Sequence, residues 1–284
     1  MSEKSFQELE NLKTIYSEIV LGYSYIDELD IYIKHLSELD NIYLNKIKKN
    51  TLNKLIKDGI PSYKDRLKTI IENGEWSEKE EDQIISLKFQ ISDNQKNINT
   101  IIAQQRPVIE KVISDKKNEL TELLFKKRNT LNGTAEDFAE QEHINYLCYF
   151  SIFKNKELTE KPFKDFEQFE NLDESLLNCY LNKTDQCLTK FNETNIKKIA
   201  AMGFFINLFS YVKEDISKFL GIPISRWTDL QFLLFSLGNR NLNVLSQCEG
   251  EPPIIQSDDD ISKCVDWFDQ QYSIICGKRN TKKN

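Results

Sequence analysis

The chain has 284 residues, 39% hydrophobic and 29% charged, with a formal net charge of −7. That length accommodates one large domain or two ordinary ones, and 17 Phe with 11 Tyr supply enough apolar bulk to exclude disorder throughout. The acidic balance gives no general attraction to nucleic acid, and no apolar stretch approaches the roughly 18–20 residues that a membrane span needs.

The opening stretch MSEKSFQELENLK is polar and has no apolar h-region, so no secretory signal is read there and a soluble, intracellular protein is expected. Texture changes along the chain. Residues 1–131 carry a net charge of −1, 10 of the 31 aromatic residues and no cysteine, whereas residues 132–284 carry −6, the other 21 aromatics and all six cysteines. The expected organisation is an extended charged module over 1–131, a compact aromatic-rich module over 132–276 and a basic tail over 277–284.

Leu9, Leu12, Tyr16, Ile19, Tyr23 and Ile26 recur at spacings of three and four, which puts them on one seam of a helix. After a phase slip at Leu29 the seam resumes through Ile33, Leu36, Leu39, Tyr43 and Ile47, and Gly59-Ile60-Pro61 stops it near Asp58. One long helix is therefore predicted over about 9–58. A short helix through Tyr63, Leu67, Ile70 and Ile71 leads to the turn Asn73-Gly74. Ser77-Glu78-Lys79-Glu80 then has the form of a capping box. It opens a second seam (Ile84, Leu87, Ile91, Ile98, Ile101) that should pass a kink at Pro107 and run on to about Leu131. Two such helices would pack as an antiparallel hairpin.

Asn132-Gly133 closes this module, and Thr134-Ala135-Glu136-Asp137 caps a helix reaching Phe153. Short helices are predicted over 166–169 and 173–181. Residues 195–220 read as one helix, apolar around most of its circumference and hence the centre of the second core. Gly221-Ile222-Pro223 ends it and Thr228 caps the next, while Ser257 or Asp258 caps a last helix reaching about Cys276. No run of alternating β-branched residues marks a strand. The fold class read from the sequence is all-α, a long coiled-coil-like antiparallel hairpin followed by a compact multi-helix domain.

The chemistry-bearing residues are sparse. Cys148, Cys179, Cys187, Cys248, Cys264 and Cys276 lack the two-residue gap of a zinc knuckle and read as reduced thiols packed like small apolar side chains. His35 reads as a surface or seam-edge residue, and His143 has no HExxH context. There is no nucleophile elbow, P-loop or dinucleotide fingerprint. No catalytic residue, metal ligand or cofactor is assigned, and an enzyme is disfavoured. Asp258-Asp259-Asp260 lacks the alternation of a calcium loop and reads as favourable charge at a helix start. Basic clusters at 46–49 and 126–128 are flanked by acids and read as solvated helix faces. With the basic tail they support only a weak nucleic-acid reading, whose mark would be steep salt dependence.

Tyrosines on the first seam suit protein–protein contact, because each buries a large ring while keeping a hydroxyl at the edge. Tyr16, Ile19, Tyr23 and Ile26 are the candidate seam contacts, and Trp227 and Trp267 the candidate contacts of the second module.

Three stretches carry a resemblance to a known group. These are Arg128 through Ala139, Phe219 through Gln231 with its Gly221-Ile222-Pro223 and Arg226-Trp227-Thr228, and Pro252 through Asp260 followed by Trp267. Together they resemble uncharacterised proteins from the virion-gene region of tailed bacteriophages. The resemblance implies a phage structural or virion-assembly role, located in the virion or the host cytoplasm. Its partners would be other virion or assembly proteins, or further copies of the chain. The alternative is a chaperone-like or regulatory adaptor that never enters the particle.

Overall fold

The structure, a computed structural model, describes the backbone of residues 3–98, 105–255 and 258–281, and the side chains of 7–98, 105–255 and 260–277. In chain order its elements are α1 (Glu3–Leu21), β1 (Tyr23–Ile26), β2 (Ile31–Lys34), α2 (Glu38–Lys57), α3 (Tyr63–Glu72), α4 (Glu78–Asn97), α5 (Arg106–Leu131) and α6 (Ala135–Ser151). They continue with β3 (Ile152–Phe153), α7 (Phe166–Glu170), α8 (Glu174–Thr189), α9 (Glu193–Ala201), α10 (Gly203–Val212), α11 (Ser217–Leu220), α12 (Asp229–Gln247) and α13 (Asp258–Thr281). The protein is mostly helical, 75% helix and 4% strand. Among the described residues no helix is long and apolar enough to cross a membrane.

The helix expected over 9–58 is interrupted. α1 ends at Leu21 because Gly22 takes φ +76°, a conformation that few side chains tolerate. Tyr23-Ser24-Tyr25-Ile26 and Ile31-Tyr32-Ile33-Lys34 then pair antiparallel in register, and β3 adds Ile152 opposite Ile33 and Phe153 opposite Tyr32. Aromatic and β-branched residues in alternation suit a pleated, half-buried surface. The same positions also satisfy a spacing of three and four, which is why the helical reading missed the sheet. Ser24, Ile31, Ile33 and Ile152 are buried, while Tyr23, Tyr25, Tyr32, Lys34 and Phe153 share the opposite face.

The antiparallel hairpin is real but local, formed by α4 and α5 instead of by two helices spanning 9–131. Gln83 Nε2 donates to Glu119 Oε1 at 2.8 Å, Lys127 pairs with Glu81 at 2.6 Å, and Lys126 pairs with Glu80. Pro107 sits in the first turn of α5, where its missing N–H would have no partner anyway, so it starts a helix instead of kinking one. Ile101, expected on the seam, lies outside the described residues.

The chain forms two units, one of residues 1–45 with 144–284 and one of residues 46–143. This differs from a boundary at 131, because α1 belongs to the larger unit. Its Leu12, Ile15 and Ile19 join the core of that unit with Ile196, Ile199, Phe205 and Leu234. Gln231 Nε2 on α12 donates to Ile19 O at 2.9 Å and Val20 O at 3.2 Å, and so adds a side-chain donor at the end of α1, where carbonyls run short of intrahelical partners. The smaller unit has its own core of Ile70, Trp76, Ile84 and Leu131, with Trp76 Nε1 donating to Glu81 Oε1 at 2.7 Å.

The apolar helix expected over 195–220 is three helices. Met202, extended at φ −72°, ψ 138°, separates α9 from α10, and a straight helix could not bury both Ile196–Ala200 and Phe205–Phe209 against α12. The last helix, in turn, runs through Thr281, so the tail expected from 277 is partly helical backbone. The side chains of 257–259 and 278–284, where a cap and a basic cluster were expected, lie outside the described ones.

Candidate functional site

Over its ten residues α10 carries no charged side chain. Phe205 and Phe209 point into the core at 0% exposure, whereas Phe204 and Leu208 are 40% exposed and Tyr211 is 85% exposed. Positions 204, 208 and 211 fall on one helical face. Inside this helix the packing is tight. Phe205 and Phe209 rings lie 5.8 Å apart, and a Cβ built on Gly238 of α12 would come within 2.8 Å of Phe209 Cδ2. The outer face is therefore carried on a rigid inner one. Tyr16 of α1 borders it, half-buried, its ring edge-on to Phe204 at 5.3 Å and to Phe205 at 6.0 Å. Burial pushes the Tyr16 phenol above its ordinary range.

The residues singled out in the sequence do not form one surface. Tyr16 is at the edge of the α10 face. Ile19 is fully buried, and Ile26 packs partly buried against the same core. Tyr23 stands on the outer face of the sheet, beyond the end of α1. A seam built from these four does not exist, because Gly22 turns the chain before Tyr23. Trp227 was expected as an exposed contact, yet it is 2% exposed. Its indole N–H donates to Ile222 O at 3.2 Å, and its ring packs 5.7 Å from Phe219 and 5.4 Å from Phe235. An indole with a satisfied N–H in an aromatic cage is core. Trp267 is half-buried, edge-on to Phe268 at 5.1 Å, and packs on the cluster of Ala201, Val244 and Cys264. The face at Phe204, Leu208 and Tyr211 was missed because the whole segment looked like core. The available signal was that apolarity all round a ten-residue helix exceeds what one buried face requires.

A second constellation is internal. Ser24 Oγ donates to Glu18 Oε2 at 2.7 Å and lies 3.0 Å from His35 Nε2. A hydroxyl has one proton, so His35 carries its own on Nε2 and donates it to Ser24. His35 Nδ1 has no hydrogen-bond partner. The expected surface position of His35 is overturned, for the residue is 1% exposed with its ring 4.5 Å from that of Phe191. Burial, and then the charge of Lys190, hold His35 neutral by pulling it down to about 3. Lys190 itself pairs with Glu18. Activation of a serine nucleophile needs the hydroxyl proton to move toward the imidazole. Here it points to a carboxylate, so the cluster is built to hold α1, β1 and β2 together.

Lys161 acts similarly at the end of α6. Its Nζ donates to Tyr149 O at 3.0 Å, Phe150 O at 2.5 Å and Ile152 O at 3.1 Å, occupying carbonyls that a helix end leaves open. It also lies 3.8 Å from the Phe153 ring centroid. Burial, then Lys34, lower its ammonium to about 8. All six cysteines are free thiols, with Cys148, Cys187 and Cys264 buried. Burial pushes Cys148 up to about 11 and raises Cys187 and Cys264, which disfavours the reactive thiolate. His143 is half-buried on α6. Among the described residues no group of three or more His, Cys, Asp or Glu is placed to hold a metal ion.

No protein family, curated protein or solved structure matches this chain.

Proposed function

We propose that the protein is a non-enzymatic structural or assembly component of tailed-bacteriophage particles that works through helix-mediated protein–protein contact. The observation that carries the contact reading is the uncharged face of α10, where Phe204, Leu208 and Tyr211 stand in solvent above a rigid core. Grouped apolar side chains of this size on a monomer surface mark interaction sites, and aromatic residues are enriched at the centres of such sites. The phage setting is supported by the sequence resemblance. A face without charge can meet a second copy of itself without like-charge repulsion, so self-association is the first contact to test.

Size-exclusion chromatography with light scattering over a concentration series tests it. Wild type is expected to form a dimer or larger assembly as concentration rises, and Leu208→Glu is expected to stay monomeric with unchanged helicity. Strictly monomeric wild type would remove self-assembly and move the case to an adaptor. Mass spectrometry of purified particles then separates a virion component, present at fixed copy number, from an assembly factor that is absent.

A further inference from the structure

β1 is an edge strand in the order β1-β2-β3. His35 N donates to Gly22 O at 2.9 Å, which sets the alternation of the antiparallel ladder. Ser24 and Ile26 exchange hydrogen bonds with β2, while Tyr23 and Tyr25 turn their backbone N–H and C=O groups outward. Among the described residues no backbone group outside the sheet bonds either of these N–H groups. An edge of this kind is a template for another strand.

The side chains above that edge have a definite character. Tyr25, Tyr32 and Phe153 stand directly opposite one another across the three strands. Tyr32 lies 4.8 Å from Tyr25 and 5.4 Å from Tyr23, centroid to centroid. At the other end, Lys161 covers Phe153 at 3.8 Å; Lys34, directly opposite Tyr23, is turned to Phe150 at 5.3 Å and neutralised by Asp40 at 2.8 Å. No lysine or arginine among the described residues lies over Tyr23, Tyr25 or Tyr32. The turn that follows β1 presents Asp27, Glu28 and Asp30, all exposed. Lys183 takes up Glu28 at 2.8 Å, and Tyr25 donates its hydroxyl to Asp30 at 2.8 Å.

We propose that β1 accepts an extended basic segment of a partner protein as a fourth strand of this sheet. The unpaired edge supplies main-chain hydrogen bonds, the usual source of affinity in strand addition. Electron-rich tyrosine faces attract ammonium and guanidinium groups, as the Phe153 ring on the same face already does with Lys161. Asp27 and Asp30 select the sign of the charge, for they attract lysine and arginine and repel phosphate or an acidic peptide. The proposal shares with the reading above only the premise that the protein works by protein contact, and it uses a different surface.

The test is fluorescence anisotropy of a labelled eight-residue alternating Arg-Val peptide titrated with the full chain. The comparison peptides are Glu-Val and an Arg-Val version N-methylated on alternate residues. Binding is expected for Arg-Val and not for Glu-Val, and it should weaken with salt. N-methylation should weaken it about tenfold or more, and Tyr25→Ala and Asp27→Asn each about two- to fivefold. Tyr25 is exposed, so its variant should keep wild-type helicity, and Asp27→Asn leaves every described contact in place. Leu208→Glu should bind the peptide like wild type whatever it does to self-association. No Arg-Val binding, equal binding of the N-methylated peptide, or no change in Tyr25→Ala would overturn the proposal. Peptide-free dimers that Tyr25→Ala abolishes would also overturn it, by assigning the edge to a second copy.

Discussion

Ser24 Oγ and His35 Nε2 meet at 3.0 Å inside the larger unit, and the serine spends its own proton on Glu18 at 2.7 Å. The histidine is thereby fixed in one tautomer with an unpartnered Nδ1, in a place where a second proton would add buried charge beside Lys190.

Stability should therefore fall with acid. The unfolded chain binds the His35 proton near pH 6.5, while the folded chain resists it to about 3. Between these values the unfolded state holds more protons, so folding is favoured above pH 6.5 and loses ground as pH drops toward 3. The full span corresponds to on the order of 4–5 kcal/mol at about 1.36 kcal/mol per pH unit. Urea midpoints measured from pH 7.5 to 4.5 should decline over this range. NMR of the His35 ring should show no titration above pH 4; a midpoint near 6.5 would contradict the buried neutral form.

Gly238→Ala should destabilise the larger unit even though alanine is the better helix former by about 1 kcal/mol. The added Cβ would approach Phe209 Cδ2 at 2.8 Å and Phe205 Cε1 at 3.0 Å, and overpacking of a filled core costs about 1–3 kcal/mol. Thermal unfolding is expected to show a lower Tm; an unchanged or higher Tm would mean that the phenylalanines yield freely.

Trp227→Ala should cost about 3–5 kcal/mol, as large-to-small changes of buried aromatics do. It would also leave the Ile222 carbonyl without its indole donor. Chemical denaturation should show this loss, with self-association changing only as folding does. A stable variant with weakened assembly would return Trp227 to the surface role first read for it.

Local signals were readable in the sequence and long-range ones were not. Ser77 with Glu80 and Thr228 with Gln231 form the reciprocal caps that their spacing announces, because a cap needs only residues three apart. The sheet was hidden because Tyr23, Ile26 and Ile33 fit helical spacing, although in the strands Tyr23 lies on one face and Ile26 and Ile33 on the other, and only the turn at Gly22 decides between the two readings. Gln231 sealing the end of α1 joins residues more than two hundred positions apart, and no periodicity reports such a pair. The α10 face escaped for a similar reason. Which side of an all-apolar helix stays wet depends on where α12 lies.

The smaller unit, residues 46–143, lies within the chain of the larger one, and this orders events during synthesis. Its core closes with Leu131, so it can fold while later residues are still being made. Ile19 and Ile33 must wait until Ile196, Phe205 and Leu234 emerge before their core closes. At about 5–20 residues per second, that interval is roughly ten seconds to over half a minute. Through it, the amino-terminal residues Leu12, Ile15, Ile19, Ile31 and Ile33, all buried in the finished fold, stay uncovered.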